Sequence, residues 1–237
     1  MRIGGCRALV TGAGRGLGAA FVQSLRRAGA DTIYVGMREP RELNQPGLIP
    51  VALDVSDPDS IAAAATRCSD VSLLINNAGV MKPDACLLDV QGSNDLHEQL
   101  AVNLFGMLDV TRAFAPSLAD AGGGCVVNML SALSWASLPH TSTYSVSKAA
   151  AWSLTNGLRN ELRAQRTQVI AVHVGYVDTD MARAVNAPKL APDVVATRVL
   201  EAIERGDEEI LVDDTARQVK AAMLWPRPLY LGPDPGR

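Results

Sequence analysis

The stretch T-G-A-G-R-G-L-G, residues 11–18, follows a strand-like run and precedes a helical pattern. Its glycines at 12, 16 and 18 let the backbone turn sharply and approach a pyrophosphate at a helix N-terminus. Between a first strand and a first helix, this pattern favours nucleotide binding over a simple tight turn. The stretch also contains G-x-G-x-x-A at Gly14, Gly16 and Ala19, so the glycines do not distinguish between dinucleotide-binding variants.

Strand-like and helical segments alternate along almost the whole chain. Several strand-like runs are continuously apolar, as expected for strands covered on both faces. The predicted strands are Arg7–Thr11, Thr32–Gly36, Leu48–Leu53, Val71–Ile75, Cys125–Leu130, Val169–Val174 and Glu209–Val212. Repeated β-α units predict an α/β fold, a single-domain doubly wound parallel sheet with helices on both faces. We expect this domain to span residues 1–224 and an irregular Pro/Gly-rich tail to span residues 225–237.

The helical stretches carry recognisable start and stop signals. The first covers Gly16–Ala28, the next starts at Pro58, and a later one runs from Pro192 to Gly206. Two longer stretches, Asn94–Ala121 and Ser142–Arg166, are rich in Ala, Leu and Val. They carry more apolar surface than one face of a sheet requires, which predicts association between copies of the chain.

Composition excludes several classes of function. The 237 residues are 48% hydrophobic with a net charge of -3, which is typical of a globular protein and gives no basic surface for nucleic acid. No apolar run approaches the roughly 20 residues that cross a bilayer, and no leader is evident. The four cysteines are widely spaced, which indicates free thiols, and His97, His140 and His173 are too scattered for a metal site. We expect a cytoplasmic protein with no metal, membrane or nucleic-acid partner.

The end of the second strand bears on the choice of cofactor. Sites that prefer NAD carry an acid there, which binds the ribose 2′-hydroxyl. This strand ends Y-V-G-M-R, and Asp31 lies at its opposite end. Arg38 and Arg15 could instead bind a 2′-phosphate, because guanidinium groups match phosphate oxygens. The alternative is a pair of solvated arginines, and Glu39 weakens the argument. NADP(H) is favoured over NAD(H).

Residues 144–148 read Y-S-V-S-K, which places a phenol and an ammonium on one face of a helix. A tyrosine has an unperturbed pKa of ~10 and is a poor acid near neutrality. A neighbouring cation lowers that pKa, so Tyr144 and Lys148 could form a proton-transfer pair. An amphipathic helix with both side chains in water is the alternative.

In this order and at these spacings, the motifs resemble the classical short-chain dehydrogenase/reductase family over about Arg7–Val212. That family adopts a Rossmann fold. Its motifs correspond here to Thr11, Gly12, Gly16 and Gly18, to Asp54 in L-D-V-S-D, to N-N-A-G at Asn76–Gly79, and to Asn103, Ser131, Tyr144 and Lys148. One departure is Val174-Gly175, where the family has P-G. The missing proline removes a fixed φ angle and predicts a looser loop beside the nicotinamide.

The resemblance implies a role for each site residue. Tyr144 exchanges a proton with the substrate oxygen, Ser131 hydrogen-bonds that oxygen, and Lys148 binds the nicotinamide ribose and lowers the pKa of Tyr144. Asn103 holds a water that passes protons to solvent. Ser134 is an alternative to Ser131, and a helix-packing amide is the alternative for Asn103. The predicted cofactor-binding residues are Gly12, Arg15, Gly16, Leu17, Gly18, Arg38, Asp54, Val55, Asn77, Ala78, Gly79, Tyr144, Lys148, Val177 and Thr179.

The resemblance implies an NADP(H)-dependent oxidoreductase that transfers a hydride between the nicotinamide and a carbonyl or alcohol. The alternative is a non-catalytic redox sensor of the same fold, which would not need both Tyr144 and Lys148. A methyltransferase and the sugar epimerases fit less well.

Ala132–His140 is expected to form one wall of a mostly apolar pocket, opposite Val80, Met81, Tyr176 and Met181. In the family the two long helices pair across a two-fold axis, which implies a homodimer or homotetramer.

Overall fold

The computed structural model describes residues 1–232, and seven strands among them form one parallel sheet. The strands are β1 Arg7–Val10, β2 Thr32–Met37, β3 Leu48–Ala52, β4 Leu73–Asn76, β5 Cys125–Met129, β6 Gln168–His173 and β7 Glu209–Leu211. Each matches a predicted strand to within about two residues at either end. Their order across the sheet is β3-β2-β1-β4-β5-β6-β7.

Seven α-helices connect or follow these strands in the described part of the chain. They are α1 Gly16–Arg27, α2 Pro58–Arg67, α3 Gly92–Leu100, α4 Met107–Asp120, α5 Ser142–Glu161, α6 Pro192–Arg205 and α7 Asp214–Ala222. The predicted start signal of α2 is correct: the Asp57 carboxylate accepts a hydrogen bond from the Asp59 N–H. The predicted stop of α6 is also correct, since Gly206 is left-handed at φ 83°.

Helices cover both faces of the sheet, which confirms the predicted doubly wound fold. Successive strand residues point to opposite faces. In β1, Ala8 and Val10 belong to a hydrophobic cluster that includes α1 and α6, whereas Leu9 belongs to one that includes α2, α4 and α5. No helix within residues 1–232 is both long and apolar enough to cross a membrane.

The strand order reverses beside β1, and this reversal determines where a ligand can bind. β1 pairs with β2 on one side and with β4 on the other. In such sheets a crevice lies outside the carboxyl ends of the strands at the reversal. The glycine-rich stretch follows β1 and N-N-A-G overlaps the end of β4, so both predicted nucleotide motifs lie at this crevice.

The predicted long helix Asn94–Ala121 is wrong as a single element. The structure contains α3, a π-helical segment at Ala101–Gly106, and α4. At Gly106 a Cβ would lie 2.7 Å from the Val55 carbonyl oxygen, so the helix approaches the end of β3 very closely there. π-Helical turns are rare and often mark functional sites, and an Ala/Leu/Val-rich pattern does not reveal them.

The second long helix, predicted as Ser142–Arg166, ends earlier as α5 at Glu161. The remaining residues form the turn into β6, in which Arg166 adopts a positive φ of 63°. Near the C-terminus, Leu229–Leu231 form a 3-10 turn within the predicted irregular tail. Residues 233–237 of that tail lie outside the described residues.

Candidate active site

The glycine-rich loop passes closer to its neighbours than a side chain would allow. Gly12 has a φ of 63°, and a Cβ there would lie 3.0 Å from the Ala78 Cα. A Cβ at Gly18 would lie 2.3 Å from the Gly12 carbonyl oxygen. Leu17 packs on the cluster of apolar residues under α1. The loop is therefore a main-chain cradle at the N-terminus of α1, where an anion is favoured.

Hydrogen bonds join this cradle to the N-N-A-G segment. The Thr11 hydroxyl oxygen accepts from the backbone N–H groups of Asn77 and Ala78, at 3.0 and 2.9 Å. The Asn77 amide donates to the carbonyls of Thr11 and Gly12, at 2.9 and 3.3 Å. Asn77 is one of the predicted cofactor-binding residues, and its amide nitrogen supports the glycine loop. The two predicted motifs thus form one rigid unit.

Arg38 and Asp54 lie together where β2 and β3 end. Asp54 Oδ1 accepts hydrogen bonds from the hydroxyl and the N–H of Ser56, at 2.6 and 2.9 Å. These bonds, followed by the charge of Arg38, hold the pKa of Asp54 below its usual value. The next residue, Val55, is buried against Gly106. An exposed guanidinium and a carboxylate therefore lie at the corner predicted to hold the adenosine.

Two further arginines lie at the glycine loop. Arg15 is 80% exposed, and its Nη1 lies 3.3 Å from Asp180 Oδ2. Arg41, which was not predicted, donates from Nη2 to the Gly14 carbonyl at 2.8 Å. A Cβ at Gly14 would also touch Met37, the residue before Arg38. Arg15 and Arg41 therefore both contact groups at the glycine loop, while Arg38 follows the end of β2.

The segment after β6 crosses the glycine loop. A Cβ at Gly16 would lie 3.3 Å from Thr179 Cγ2, and Val177 is buried and bridges to Leu190. The loop was predicted to be loose because Val174 replaces a proline. Asp213, the N-cap of α7, tethers it by accepting the Gly175 N–H at 2.8 Å. The sequence pattern gave no indication of this tether.

Ser131, Tyr144 and Lys148 come together from two elements. Ser131 follows β5, and the other two lie one turn apart in α5. The Ser131 hydroxyl accepts the Leu133 N–H at 3.1 Å, and its interaction with the Tyr144 phenol lowers the pKa of that phenol. Lys148 Nζ lies 5.7 Å from the Tyr144 ring centroid and donates to the Met129 carbonyl at 2.8 Å. A Cβ at Gly79 would lie 3.7 Å from Lys148 Nζ, so N-N-A-G ends at the same point.

The predicted direction of the Tyr144 pKa shift is wrong. Burial raises the pKa of Tyr144 to about 12, and the hydrogen bond from Ser131 offsets only part of this effect. Burial also lowers the pKa of Lys148 to about 8. Removal from water disfavours the charged form of each group. The Lys148 ammonium is bonded to the Met129 carbonyl, and its charge does not overcome the effect of burial on the phenol.

Asn103 lies in the π-helical segment and is fully buried. Its Oδ1 accepts the Val80 N–H at 2.9 Å. Its Nδ2 donates to the Val80 carbonyl and to the Ser147 hydroxyl, both at 2.9 Å. Both amide hydrogens are used, as the helix-packing alternative required. A water held at this residue would therefore have to bond the main-chain carbonyl.

Ala132–His140 were expected to form one wall of the pocket. Ser134 and Trp135, however, are buried and do not face the open pocket. The Ser134 hydroxyl accepts the Ser131 N–H at 3.4 Å in a capping box. Trp135 is 6% exposed and stacks on His173. The exposed part of this stretch begins at Ser137 and includes Leu138. Within residues 1–232, no group of three His, Cys, Asp or Glu side chains could hold a metal ion.

Residues 7–190 match the profile of the family described as short chain dehydrogenase. This match covers well over half of the chain and includes the glycine loop, N-N-A-G and the group formed by Ser131, Tyr144 and Lys148. The chain belongs to the short-chain dehydrogenase family. As a member, it is an oxidoreductase that acts on alcohol and carbonyl groups.

Three relatives illustrate the similarity. "Carbonyl reductase [NADPH] 2" of Sus scrofa is 34% identical over 199 residues, which cover 81% of this chain and 80% of the relative. "Short chain dehydrogenase tazN" of Aspergillus terreus is 35% identical over 198 residues, which cover 76% of this chain and 43% of that longer protein. A short chain dehydrogenase from Burkholderia cenocepacia J2315, solved in complex with NADP, superposes with a TM-score of 0.91 at 38% identity, with 96% of both chains covered.

The sequence patterns did not predict two residues of the site, Arg41 and Asp213. Arg41 follows Arg38 by three positions in R-E-P-R. The loop after β2 must pass near the glycine loop, and this is the signal that could have predicted a contact from Arg41. Asp213 precedes α7 in D-D-T-A, a recognisable N-cap pattern. Nothing in that pattern shows that its second oxygen reaches Gly175.

Proposed function

We propose that this short-chain dehydrogenase transfers a hydride between NADP(H) and the carbonyl or alcohol of a small, mostly apolar substrate. The observation that carries the proposal is the group formed by Ser131, Tyr144 and Lys148 at the same crevice as the glycine cradle. When bound, the nicotinamide cofactor supplies or accepts the hydride. The group of side chains supplies the proton and stabilises the charge on oxygen.

The cradle fits a dinucleotide. Its glycines leave no room for a Cβ at Gly12 or Gly18, and its backbone lies at the start of α1, where a pyrophosphate is favoured. Lys148 and Gly79 are neighbours at the far end of the crevice, so Lys148 is placed to hold the nicotinamide ribose. Val177 and the Thr179 hydroxyl would hold the carboxamide, and Asp54 and Val55 would lie beside the adenine.

NADP(H) is favoured over NAD(H) by charge. We assign the 2′-phosphate to Arg15, Arg38 and Arg41. No acid lies within β2 at its carboxyl end, and the nearest one, Glu39, follows Arg38. Arg15 would exchange its exposed contact with Asp180 for the phosphate. Asp54 is held by Ser56, so it does not compete for a ribose hydroxyl as an acid at the end of β2 would.

The pKa values suit reduction of a carbonyl. With a pKa near 12, Tyr144 is a neutral phenol at neutral pH and has a proton to donate. Lys148, with a pKa near 8, is mostly charged and stabilises the phenolate that remains when the proton leaves. Ser131 donates a hydrogen bond to the substrate oxygen. Reprotonation through Asn103 requires its main-chain carbonyl.

The walls of the pocket suit an uncharged substrate. Val80, Met81 and Tyr176 are half-buried at its sides, and Met181 and Leu138 are each 44% exposed at its rim. Apolar walls with a few fixed polar groups are typical of small-molecule sites. A cytoplasmic location is part of this proposal, because all four cysteines are free, as in a reducing compartment.

The protein is also proposed to be a homodimer or homotetramer. Phe105, in the π-helical segment before α4, is 54% exposed, and Val146 of α5 is 39% exposed. Large apolar side chains on two adjacent helices are expected to be covered by a second copy through a two-fold axis.

The experiment that tests the function is an assay of NADPH oxidation by the purified protein with a panel of apolar ketones and aldehydes. Turnover of at least one, with formation of its alcohol, supports the proposal. Tight NADPH binding without turnover of any carbonyl or alcohol would instead support the redox-sensor alternative.

A further inference from the structure

His173 is the last residue of β6 and is fully buried, and no role in the proposed chemistry involves it. Its Nδ1 lies 3.1 Å from the Ser131 carbonyl oxygen. That carbonyl also accepts the Ser134 N–H at 3.0 Å. His173 therefore touches the main chain of the serine whose hydroxyl meets Tyr144, although the two residues are 42 positions apart.

The contact defines the tautomer of the ring. A carbonyl oxygen only accepts hydrogen bonds, so Nδ1 must carry the proton. Nε2 is then bare, and it is the one buried side-chain nitrogen or oxygen in residues 1–232 without a hydrogen-bond partner. Burial lowers the pKa of His173 to about 4, so the ring is neutral near pH 7.

Other groups hold the ring in one orientation. Trp135 stacks on its face with 3.8 Å between ring centroids, and the Trp152 ring packs edge-on against Trp135. Glu209 Oε1 lies 3.8 Å from Nε2. Lys220 pairs with Glu209 and lies 5.6 Å from the centroid of Trp135. A 180° flip of the ring about its Cβ–Cγ bond would keep the stacking on Trp135 but lose the bond to Ser131.

We infer that His173 is a positioning residue, whose Nδ1–H fixes the Ser131 carbonyl and thereby directs the Ser131 hydroxyl at the reacting oxygen. Ser131 lies two residues after the end of β5, in the extended backbone that leads into a 3-10 turn. Its φ and ψ therefore decide where the hydroxyl points. A displacement of about 1 Å at such a group can cost about 10²-fold in rate. This inference rests on the proposed function.

Two amide variants separate positioning from general support of the fold. In His173→Asn the amide nitrogen can take the place of Nδ1 and keep the bond to the Ser131 carbonyl. In His173→Gln the longer side chain moves the donor toward the position of Nε2. We expect His173→Asn to keep kcat within about threefold and His173→Gln to lose about tenfold or more, with the NADPH Kd unchanged in both. Rates are normalised to the NADPH sites counted by fluorescence titration.

A double-mutant cycle tests whether His173 acts through Ser131. The loss caused by His173→Gln should shrink to less than about threefold in a Ser131→Ala background, because the hydroxyl to be directed is gone. Equal losses in both backgrounds, or equal losses for Asn and Gln, would overturn the inference.

The tautomer can be measured without any activity. Nitrogen-15 NMR of the wild-type histidines, with the His173→Asn spectrum used for assignment, should show a neutral ring protonated on Nδ1. A ring protonated on Nε2 would overturn the inference, since it could not donate to the carbonyl. If no carbonyl substrate is ever reduced, the proposed function fails, and the NMR result still decides how His173 is bonded.

Discussion

At the cofactor end of the crevice, Arg15 keeps 80% of its side chain in solvent, whereas Lys148 at the catalytic end is 5% exposed. Arg15 contacts Asp180 at the surface, and Arg41 donates to a loop carbonyl. Lys148 is enclosed, and its ammonium bonds the Met129 carbonyl. Both ends hold cations near a proposed ligand, but in very different environments.

This difference in exposure indicates which substitutions should cause the largest losses of activity and binding. Exposed charges are screened by water and salt, and each pair contributes little to stability. Such arginines can rearrange around a phosphate, and one can partly replace another. A buried charge has no substitute, and its pKa responds strongly to its surroundings. Losses at the catalytic end should therefore be large and specific, and losses at the cofactor end small and graded.

The largest effect is expected for Tyr144→Phe, which keeps the ring and removes only the hydroxyl. Turnover should fall by about 10²–10⁴-fold, as is typical when a general acid is lost, while the NADPH Kd changes little. Steady-state kinetics and fluorescence titration measure the two quantities. Tyr230→Phe, at an exposed position of the tail, is the matched control and should leave both unchanged. Retention of most activity in Tyr144→Phe would mean that the proton comes from another group.

Lys148→Ala should lower turnover by about 10²-fold and also weaken NADPH binding, because it removes a charge beside the phenol and the proposed ribose contact.

The pH dependence of the wild-type rate should report the protonation of Lys148. Its pKa is lowered to about 8, so the ammonium is present below that pH and is lost above it. The rate of carbonyl reduction should fall as the pH rises through about 8. A flat profile from pH 7 to 10 would contradict the proposed role of this charge.

At the cofactor end, Arg38→Ser should weaken NADPH binding about tenfold, or ~1.4 kcal/mol, and leave NADH binding nearly unchanged. Arg41→Ser should have a similar but smaller effect, and the double variant should bind the two cofactors about equally. Arg112→Ser, at an exposed arginine paired with Asp109 on α4, is the control. Fluorescence titration measures all four variants. If the wild type already binds both cofactors equally, the proposed preference is wrong.

The smallest effect on activity is expected for a substitution that alters the oligomeric state and leaves the crevice intact. Phe105→Asp places a charge at an exposed apolar position of the π-helical segment. The wild type should have the mass of a dimer or tetramer by light scattering at micromolar concentration, and the variant should dissociate. A wild type that is monomeric at that concentration would exclude the proposed assembly.

Much of the fold was predictable because its signals are local. Continuous apolar strands, the Asp57 cap and the stop at Gly206 each depend on neighbouring residues, and all were located correctly. The π-helical segment was not predictable, because an Ala/Leu/Val-rich pattern does not distinguish it from an α-helix and does not show that Gly106 lies against Val55, which is distant in the chain. The early end of α5 likewise follows from the turn needed to enter β6.

At the site, the sequence predicted which residues meet but not their environments. Tyr144 and Lys148 were paired by helical spacing, and the structure places them together. The raised pKa of Tyr144 was missed because burial depends on what covers the ring, which spacing does not show. For the same reason the sequence left open whether the Asn103 amide packs between helices, and it did not predict the tether from Asp213 to Gly175.

The proposed hydride transfer from NADPH to a carbonyl carbon can be followed with a deuterium label. The purified protein is given NADPH with both hydrogens on the reactive carbon of the nicotinamide replaced by deuterium, together with the best apolar ketone. We expect an alcohol that carries one deuterium on the former carbonyl carbon, formed one for one with NADPH consumed. Tyr144→Phe should form this product at least about 10²-fold more slowly. An alcohol without the label, or NADPH that binds but is consumed by no carbonyl compound, would contradict the proposed hydride transfer.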